Sequence, residues 1–219
     1  MTLRPISSPD LASTEKPIVF IIDEDASVRE ALKSLLRSVG FRVKVLNSAS
    51  EFLQSKLPDV PSCLIFDIGL PRSSGLDVQA DLAAAGIHIP IIVITGHGDI
   101  PMSVRAMKAG AADFLTKPFR NEDILNAVMT AIERDRRGRN RARTRSDLQV
   151  LFATLSPRER EVMALVVTGR MNKQVAAEIG IAEITVKMHR RNIMKKMTAK
   201  SFADLVRMAE ALGIGNAVS

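Results

Sequence analysis

Three acidic side chains in the first half of the chain are spaced so that they could work together. Asp23 and Glu24 directly follow the apolar run 18–22, and Asp67 follows the apolar run 63–66. Each alone could be a turn residue or a helix cap, which is the commoner role of an acidic residue after a strand. Carboxylates that converge repel one another and need a cation, for which hard Mg²⁺ with oxygen ligands is the natural partner. If the two runs are neighbouring strands, the spacing predicts a magnesium site.

A hydroxyl and an ammonium group complete this predicted site. Thr95 directly follows the apolar run 91–94, and Lys117 follows the run 113–116 and precedes Pro118. A hydroxyl and an ammonium that face a carboxylate are the groups that an acyl phosphate needs, because both can bond to phosphoryl oxygens. The set is therefore compatible with phosphoryl chemistry.

An alternation of strands and helices must position these residues. The predicted strands are the five segments 18–22, 42–46, 63–66, 91–94 and 113–116. After the first strand, Val28, Leu32, Leu35 and Leu36 follow helical spacing. Repeated strand and helix units imply a doubly wound α/β fold, with a parallel five-stranded sheet covered on both faces. Ligands bind such sheets at the carboxyl ends of the strands, where the site residues are predicted to lie.

The pattern becomes helical throughout from Leu155 onward. Ser156, Pro157 and Glu159 have the types and spacing of a helix start with a capping box. Gly180 permits a tight turn between the second and third helices. The later helices are predicted at about 172–179, 183–197 and 201–212. An all-α domain of four short helices with this turn suggests a helix-turn-helix unit.

The positive charge of the chain is concentrated in its second part. The 219 residues carry a net charge of +7, which divides into −2 for residues 1–132 and +9 for residues 133–219. A basic lobe on an otherwise acidic protein suggests a polyanion partner such as nucleic acid. A solvated basic face is the alternative. No apolar run is long enough for a membrane span, so we expect a cytoplasmic protein without a membrane partner.

An arginine-rich segment separates the two parts. Residues 133–145 contain seven arginines and almost no apolar residues, which is typical of a solvated linker or a helix extension. A basic arm that touches DNA is the alternative. The predicted domains are a tail at 1–16, an α/β domain at 17–132, a basic linker at 133–149 and a helical domain at 150–219.

The cysteine and the histidines do not suggest a further metal site. Cys63 lies inside an apolar run, where a buried structural thiol is expected. His88, His97 and His189 are widely scattered and have no partner at the spacing of zinc ligands.

Four ordered signatures in residues 17–135 resemble the receiver domain of bacterial two-component response regulators, which has a flavodoxin-like fold. The signatures are Ile22-Asp23-Glu24-Asp25, Phe66-Asp67-Ile68-Gly69-Leu70-Pro71, Ile94-Thr95-Gly96-His97-Gly98-Asp99 and Leu115-Thr116-Lys117-Pro118-Phe119. The resemblance implies that Asp67 accepts a phosphoryl group from a sensor histidine kinase. It also implies that Glu24 and Asp67 hold Mg²⁺, that Asp23 acts through a bound water and that Gly69 contributes its backbone carbonyl. Glu24 stands where an aspartate is more usual.

The same resemblance implies a switch. Thr95 would bond one phosphoryl oxygen and Lys117 another, and the Lys117-Pro118 peptide would be cis. Phe114 stands where many relatives have tyrosine, and it would fill the space that Thr95 leaves. The face formed by the helix before the fifth strand, that strand and the next helix would then be remodelled.

The second part resembles the LuxR/GerE helix-turn-helix, so that the whole chain resembles a FixJ/NarL-type regulator. The matching segments are Leu155 to Val162, Met171 to Ala176 and Thr185 to Ile193. The resemblance places Lys187, Met188 and Arg191 in the major groove of promoter DNA. It places five further residues on phosphates, namely Asn172, Lys173, Thr185, His189 and Lys195. Met171 and Ala182 stand where relatives often have serine, so a helix cap is missing at both.

The resemblance also implies how the protein assembles and which partner it meets on DNA. The last helix places Phe202, Leu205, Val206 and Ala209 at helical spacing, and the resemblance implies that part of this helix pairs two monomers on DNA. RNA polymerase is then an implied partner.

A haloacid-dehalogenase-like phosphatase would need an aspartate at Gly69, so we expect no enzyme. A signalling adaptor would bind protein instead of DNA, against which the basic third helix argues.

Overall fold

The apolar runs form a five-stranded parallel sheet in the computed structural model, which describes residues 16–68, 81–82, 84–96 and 100–215. The strands are β1 (Ile18–Ile22), β2 (Arg42–Leu46), β3 (Ser62–Asp67), β4 (Ile91–Thr95) and β5 (Asp113–Thr116). Their order is β2-β1-β3-β4-β5 and all pairs are parallel. This order is that of the flavodoxin-like doubly wound fold, so the predicted fold class is confirmed.

Side chains of each strand alternate between two apolar layers. Phe20 and Ile22 of β1 pack in one cluster together with Phe52, whereas Val19 and Ile21 pack in the other. The first layer is covered by α2 (Ala49–Gln54) and α3 (Ile100–Lys108), and the second by α1 (Ala26–Ser38) and the first half of α4 (Asn121–Ala153). Both faces of the sheet are therefore buried, which explains why its central strands are almost continuously apolar.

The arginine-rich segment lies inside the long helix α4, so of the predicted alternatives it takes the form of a helix extension. The chain divides into two compact units between Arg139 and Asn140, within this helix. Asp135 anchors the helix to the first unit, because its buried carboxylate accepts hydrogen bonds from Ser62 N at 2.8 Å and from Arg139 Nε at 2.6 Å. Arg139 also reaches Asp59 Oδ1 at 3.0 Å. Helix α4 therefore contacts the rest of the first unit as far as Arg139, the last residue of that unit.

The second unit contains the predicted short helices. They are α5 (Pro157–Val166), α6 (Asn172–Ile179), α7 (Glu183–Lys196) and α8 (Phe202–Leu212). Ser156 and Glu159 form the predicted capping box, and Gly180 adopts a left-handed conformation, with φ 66°, between α6 and α7. One apolar cluster joins all of these helices with the end of α4, through Leu148, Val162 and other buried residues. None of the helices within the described ranges is long and apolar enough to cross a membrane.

Candidate functional site

Two of the predicted carboxylates meet at the carboxyl ends of adjacent strands. Asp67 is the last residue of β3, Asp23 follows β1, and both are almost completely buried. Lys117 Nζ lies 2.7 Å from Asp23 Oδ2 and 2.7 Å from Asp67 Oδ2. The structure therefore brings together three of the predicted site residues, with one ammonium group between two carboxylates.

The charge balance of this group explains the protonation of Lys117. Burial lowers the pKa of Lys117, but the hydrogen bonds and charges of Asp23 and Asp67 outweigh burial and leave the pKa above its ordinary value. The side chain is therefore an ammonium at neutral pH. Two buried carboxylates and one ammonium leave an excess negative charge, which favours a further cation at this place.

Thr95 is fixed beside Lys117 by the backbone. It ends β4, its side chain is buried, and its carbonyl oxygen accepts a hydrogen bond from Lys117 N at 2.7 Å. The Lys117-Pro118 peptide bond is cis, which confirms that expectation. The hydroxyl and the ammonium thus come from neighbouring strand ends, where both can approach a group bound to Asp67.

Glu24 takes a different position from Asp23. Its side chain is exposed, while its carbonyl oxygen accepts a hydrogen bond from Arg29 Nη1 at 3.0 Å. Asp25 N donates to Asp23 Oδ1 at 2.8 Å, and Asp25 caps helix α1. This local network orients Asp23 towards the site and leaves Glu24 at its rim.

The donor set suits Mg²⁺ in its chemistry. Asp23 and Asp67 offer hard carboxylate oxygens, and Mg²⁺ commonly binds one or two carboxylates and keeps several waters. Across the described part of the chain, no cluster of three or more His, Cys, Asp or Glu could hold a metal ion. Gly69 lies outside the described residues. Of the described residues, Asp23 and Asp67 would therefore supply the buried oxygens for a magnesium ion.

Phe114 connects the site to the helix before β5. It pairs with Val93 in the sheet register and is half-buried against the apolar cluster that contains Ala106 of α3. In β5, Phe114 lies two residues before Thr116, which pairs with Thr95 of β4. This location suits the predicted switch, since Phe114 shares an apolar cluster with Ala106 of α3 and pairs with Val93, which lies two residues before Thr95 in β4.

Helix α7 presents the predicted base-contacting residues to solvent. Val186 and Ile193 are buried in the core of the second unit, while Lys187, Met188 and Arg191 are exposed. Lys195 is also exposed, one helical turn after Arg191. Lys187 forms an i,i+4 ion pair with Glu183 at 3.1 Å, which is a surface interaction worth about 1 kcal/mol or less. The pair is weak enough to be exchanged for a contact with DNA.

The residues predicted to touch phosphates lie at the edges of this surface. Lys173 is exposed, and Asn172, Thr185 and His189 are half-buried. His189 Nδ1 is buried without a hydrogen-bond partner among the described residues, so a polar contact of this ring with a ligand depends on Nε2.

Arg190 of α7 has a structural role that the sequence pattern did not predict. Its Nη1 donates to Asn172 Oδ1 at 2.7 Å, and its guanidinium carbon lies 4.9 Å from the centre of the Phe202 ring. Because arginine only donates hydrogen bonds, Asn172 must present its oxygen to Arg190 and keep its amide group for another acceptor. Its position between the buried Val186 and Ile193 in the helical repeat is the signal that could have found it.

Comparisons with known proteins agree with both parts of this description. Residues 19–129 match the family described as "Response regulator receiver domain", and residues 153–209 match "Bacterial regulatory proteins, luxR family". Nodulation protein W of Bradyrhizobium diazoefficiens is 62% identical over 203 residues, which are 93% of this chain and 89% of that protein.

Two solved structures are similar over nearly their whole length. The response regulator StyR is 47% identical, with a TM-score of 0.75, and the match covers 90% of this chain and 99% of that chain. Full-length FixJ from B. japonicum is 36% identical, with a TM-score of 0.54, and the match covers 91% of this chain and 98% of that chain.

The two domains imply a histidine kinase partner and binding to DNA. Receiver domains generally bind Mg²⁺ at the site of phosphorylation. The relatives are transcriptional regulators, so the phosphatase and adaptor alternatives are set aside. The chain belongs to the FixJ-type response regulators, transcriptional regulators that join a receiver domain to a LuxR-type helix-turn-helix domain.

Proposed function

We propose that Asp67 is the phosphoryl acceptor and that its phosphorylation drives the protein to bind promoter DNA as a dimer. The observation that carries this proposal is the Lys117 ammonium, which lies 2.7 Å from both Asp67 and Asp23 at the carboxyl ends of β3 and β1. In a doubly wound sheet this edge is where ligands bind. Asp67 is the carboxylate that ends a strand there, with Thr95 ending the next strand.

The transfer itself is a displacement at phosphorus. A carboxylate oxygen of Asp67 attacks the phosphorus of a phosphohistidine on the sensor kinase. A P–O bond forms, the P–N bond breaks, and the imidazole leaves with the electron pair of that bond and takes up a proton. Lys117 then bonds to one phosphoryl oxygen and Thr95 to another, so that their donors replace part of the solvent around the new charge.

Mg²⁺ would be held by Asp67 and Glu24, with Asp23 acting through water and with the carbonyl of Gly69, and it would neutralise charge on the phosphoryl oxygens. The residues of this chain supply the rest. Asp23 keeps Lys117 oriented by their 2.7 Å contact, and the buried surroundings of Asp67 strengthen each interaction with the phosphoryl group.

The signal leaves the site through Thr95 and Phe114. Thr95 turns to the phosphoryl group, Phe114 fills the vacated space, and the cluster that Phe114 shares with Ala106 of α3 is repacked. Helix α3 carries three exposed apolar residues at the spacing of one helix face: Ile100, Val104 and Met107, which are 80%, 45% and 47% exposed. We place the phosphorylation-dependent dimer contact on this face, because apolar groups gain by mutual burial.

The DNA contact is made by the second unit. Helix α7 enters the major groove with Lys187, Met188 and Arg191 towards the bases. Asn172, Lys173, Thr185, His189 and Lys195 contact phosphates. Two monomers then occupy two related half-sites, where the bound regulator meets RNA polymerase. Because its target is promoter DNA, we place its work in the cytoplasm.

Phosphorylation is tested with acetyl phosphate and Mg²⁺ on the full chain. Wild type is expected to gain one phosphoryl group in its intact mass, and Asp67→Asn is expected to gain none. Asp59→Asn is the matched control, since Asp59 is an exposed carboxylate of the same unit that pairs with Arg139. Incorporation into Asp67→Asn would show that another residue is the acceptor.

DNA binding is tested by enrichment from random duplex DNA, with and without beryllofluoride plus Mg²⁺. We expect a two-fold related site that is enriched more strongly with beryllofluoride in wild type and not in Asp67→Asn. No enrichment in any condition would contradict the proposed role of α7.

A further inference from the structure

The outward face of α7 contains apolar side chains among its cations. Ile184, Met188, Arg191 and Lys195 recur at helical spacing opposite the buried Val186 and Ile193. Ile184 is 72% exposed and Met188 is 53% exposed. Neither belongs to the apolar residues that pack on the core of the second unit. The two residues, one turn apart, therefore form a continuous apolar strip on a basic surface.

Folding gives no reason for an isoleucine at position 184. The side chain is mostly exposed and lies outside the apolar cluster of the second unit, and a β-branched residue has a lower helix propensity than alanine, lysine or glutamate. Its stiffness favours a binding role instead, because one rotamer dominates for isoleucine in a helix and little side-chain entropy remains to be lost on contact. An exposed and rigid apolar side chain within a basic surface fits a ligand that is anionic along its edges and has an apolar group between them.

DNA has this combination of properties in the major groove. The phosphates lie along both edges, and the C5-methyl group of thymine is the apolar group among the base edges. Ile184 lies in the first turn of α7, and the first residues of a recognition helix are those that contact base edges. On the same face, Lys187 and Arg191 supply the neighbouring positive charge.

We propose that Ile184 is a specificity-determining residue that reads the methyl group of one thymine in each half-site. The proposal rests on the placement of α7 in the major groove given under the proposed function. Met188 lies four positions after Ile184, a rise of about 6 Å along the helix, so the two side chains contact different base pairs. Ile184 thus adds a second methyl-sensitive position to the one expected from Met188.

The test replaces each thymine of the enriched duplex by deoxyuridine, one at a time, which removes only the methyl group. The full chain is used with beryllofluoride and Mg²⁺. For wild type, we expect the Kd to rise roughly three- to tenfold at one thymine of each half-site because of Ile184, which is the effect of about one buried methyl group. In Ile184→Ser the thymine and deoxyuridine duplexes are expected to bind equally at that position, whereas Ile184→Val retains part of the difference.

Two controls separate the alternatives. Val150→Ser removes an apolar side chain that is 66% exposed on α4 in the same unit, and it is expected to leave the methyl effect unchanged. Met188→Ala should abolish the effect at a different thymine. Ile184→Ser with the full wild-type methyl effect, or a loss of that same effect in Met188→Ala, would overturn the proposal.

Failure of the groove placement looks different. Wild type would then show no methyl-sensitive thymine at all, and Arg191→Ala would keep its sequence selectivity. If Arg191→Ala loses selectivity while no thymine depends on Ile184, the placement of α7 stands and the assignment of Ile184 is wrong.

Discussion

Lys117 has an unusual environment for a lysine, because its ammonium group is shared by two carboxylates that are themselves buried. The side chains of Asp23 and Asp67 are 0% and 6% exposed, whereas that of Lys117 is 20% exposed. Desolvation of two like charges is expensive, and the arrangement is stable only as long as the cation remains between them. The same residue therefore stabilises the fold of the receiver and, in the proposed function, would also bond the phosphoryl group.

Replacing Lys117 with methionine should destabilise the receiver. The two carboxylates would lose their shared cation, and we expect the free energy of unfolding to fall by about 3 kcal/mol without Mg²⁺. Urea unfolding of the full chain measures this loss. Lys33→Met is the matched control, because the Lys33–Glu30 pair is on the surface, and it should change the stability by about 0.5 kcal/mol or less. Equal effects of the two substitutions would contradict the structural role of Lys117.

Glu159 performs a comparable function in the second unit. Its carboxylate accepts hydrogen bonds from Ser156 N at 2.8 Å and from Lys196 Nζ at 2.6 Å, which connects the start of α5 to the end of α7. Burial raises the pKa of Glu159, but the hydrogen bonds from Lys196 and Ser156 outweigh burial and leave the pKa below its ordinary value. The ionised form is therefore the form that stabilises the fold.

A pH series should expose this contribution. Glu159→Gln keeps an oxygen for the capping box but loses the charge, so we expect a loss of about 1–2 kcal/mol near neutral pH. A lowered pKa gives stability that is present above the ordinary value of 4.5 and is lost as pH falls through the folded value. The difference between wild type and Glu159→Gln in urea unfolding should thus shrink below pH 4.5. Glu161→Gln, which alters an exposed pair with Arg158, should show no such trend.

At the scale of elements, helix starts in the second unit differ in quality. Ser156 and Ser201 accept hydrogen bonds from the backbone at the starts of α5 and α8, whereas Met171 and Ala182 provide no side-chain cap for α6 and α7. The backbone at Ala182 nevertheless has φ −71° and ψ 146°, close to the −65° and 159° of Ser156. A serine at position 182 would therefore find the geometry of a cap already in place.

Ala182→Ser should stabilise the second unit. A new N-cap is worth about 1 kcal/mol, which corresponds to a rise in the Tm of that unit of roughly 4–8 °C. Calorimetry on the full chain measures the change in the transition of the helical unit. Ala177→Ser, at an exposed position inside α6, is the control and should give a small loss because serine is a poorer helix former than alanine. A Tm of Ala182→Ser at or below that of wild type would contradict the prediction.

The strands and helices with clear periodicity could be predicted from the sequence, while contacts between distant residues could not. Apolar runs located all five strands to within about one residue, since burial on both faces of a parallel sheet leaves a plain signal. Strands β3 and β4 end one residue later than predicted, at Asp67 and Thr95, because both residues still pair in the sheet although they are polar. The spacing of strand ends likewise predicted the meeting of Asp23, Asp67 and Lys117.

Charged residues with long-range partners carried no such signal. The arginine-rich part of α4 has no apolar periodicity that would predict a packed face. The helix is held to the first unit by Asp135, whose partner Ser62 is 73 residues away in the sequence. The contacts of Arg190 could not be predicted for the same reason, because its partners Asn172 and Phe202 become neighbours only in the folded unit. Sequence patterns identify faces of elements, and specific polar partners depend on tertiary packing.

At the scale of the whole molecule, the charge distribution restricts how phosphorylation can act on DNA binding. The first 132 residues have a net charge of −2, and the remainder has a net charge of +9. A phosphoryl group on Asp67 would add about −1.5 to −2 to the charge of the acidic part, at a residue that is almost completely buried. Added negative charge cannot itself increase the affinity for DNA, so activation has to proceed through a change in conformation or assembly. In the proposed function, a second copy of the chain, which would double the number of basic α7 helices at one site, would supply this gain.

The exposed apolar face of α3 should therefore control activation without affecting phosphorylation. A charge placed at its centre, as in Val104→Glu, would have to be buried in the dimer, so we expect the dimer Kd with beryllofluoride to rise at least tenfold, which is roughly 1.4 kcal/mol. Sedimentation velocity measures this change, and acetyl phosphate should still label Asp67. Val39→Glu alters a residue that is 51% exposed at the end of α1 and should leave the dimer intact. If Val104→Glu dimerises as wild type does, the contact lies elsewhere. If it stays monomeric yet binds the two half-sites with unchanged affinity, dimerisation through the receiver is not what activates the protein, because α7 would then need no partner to occupy its site.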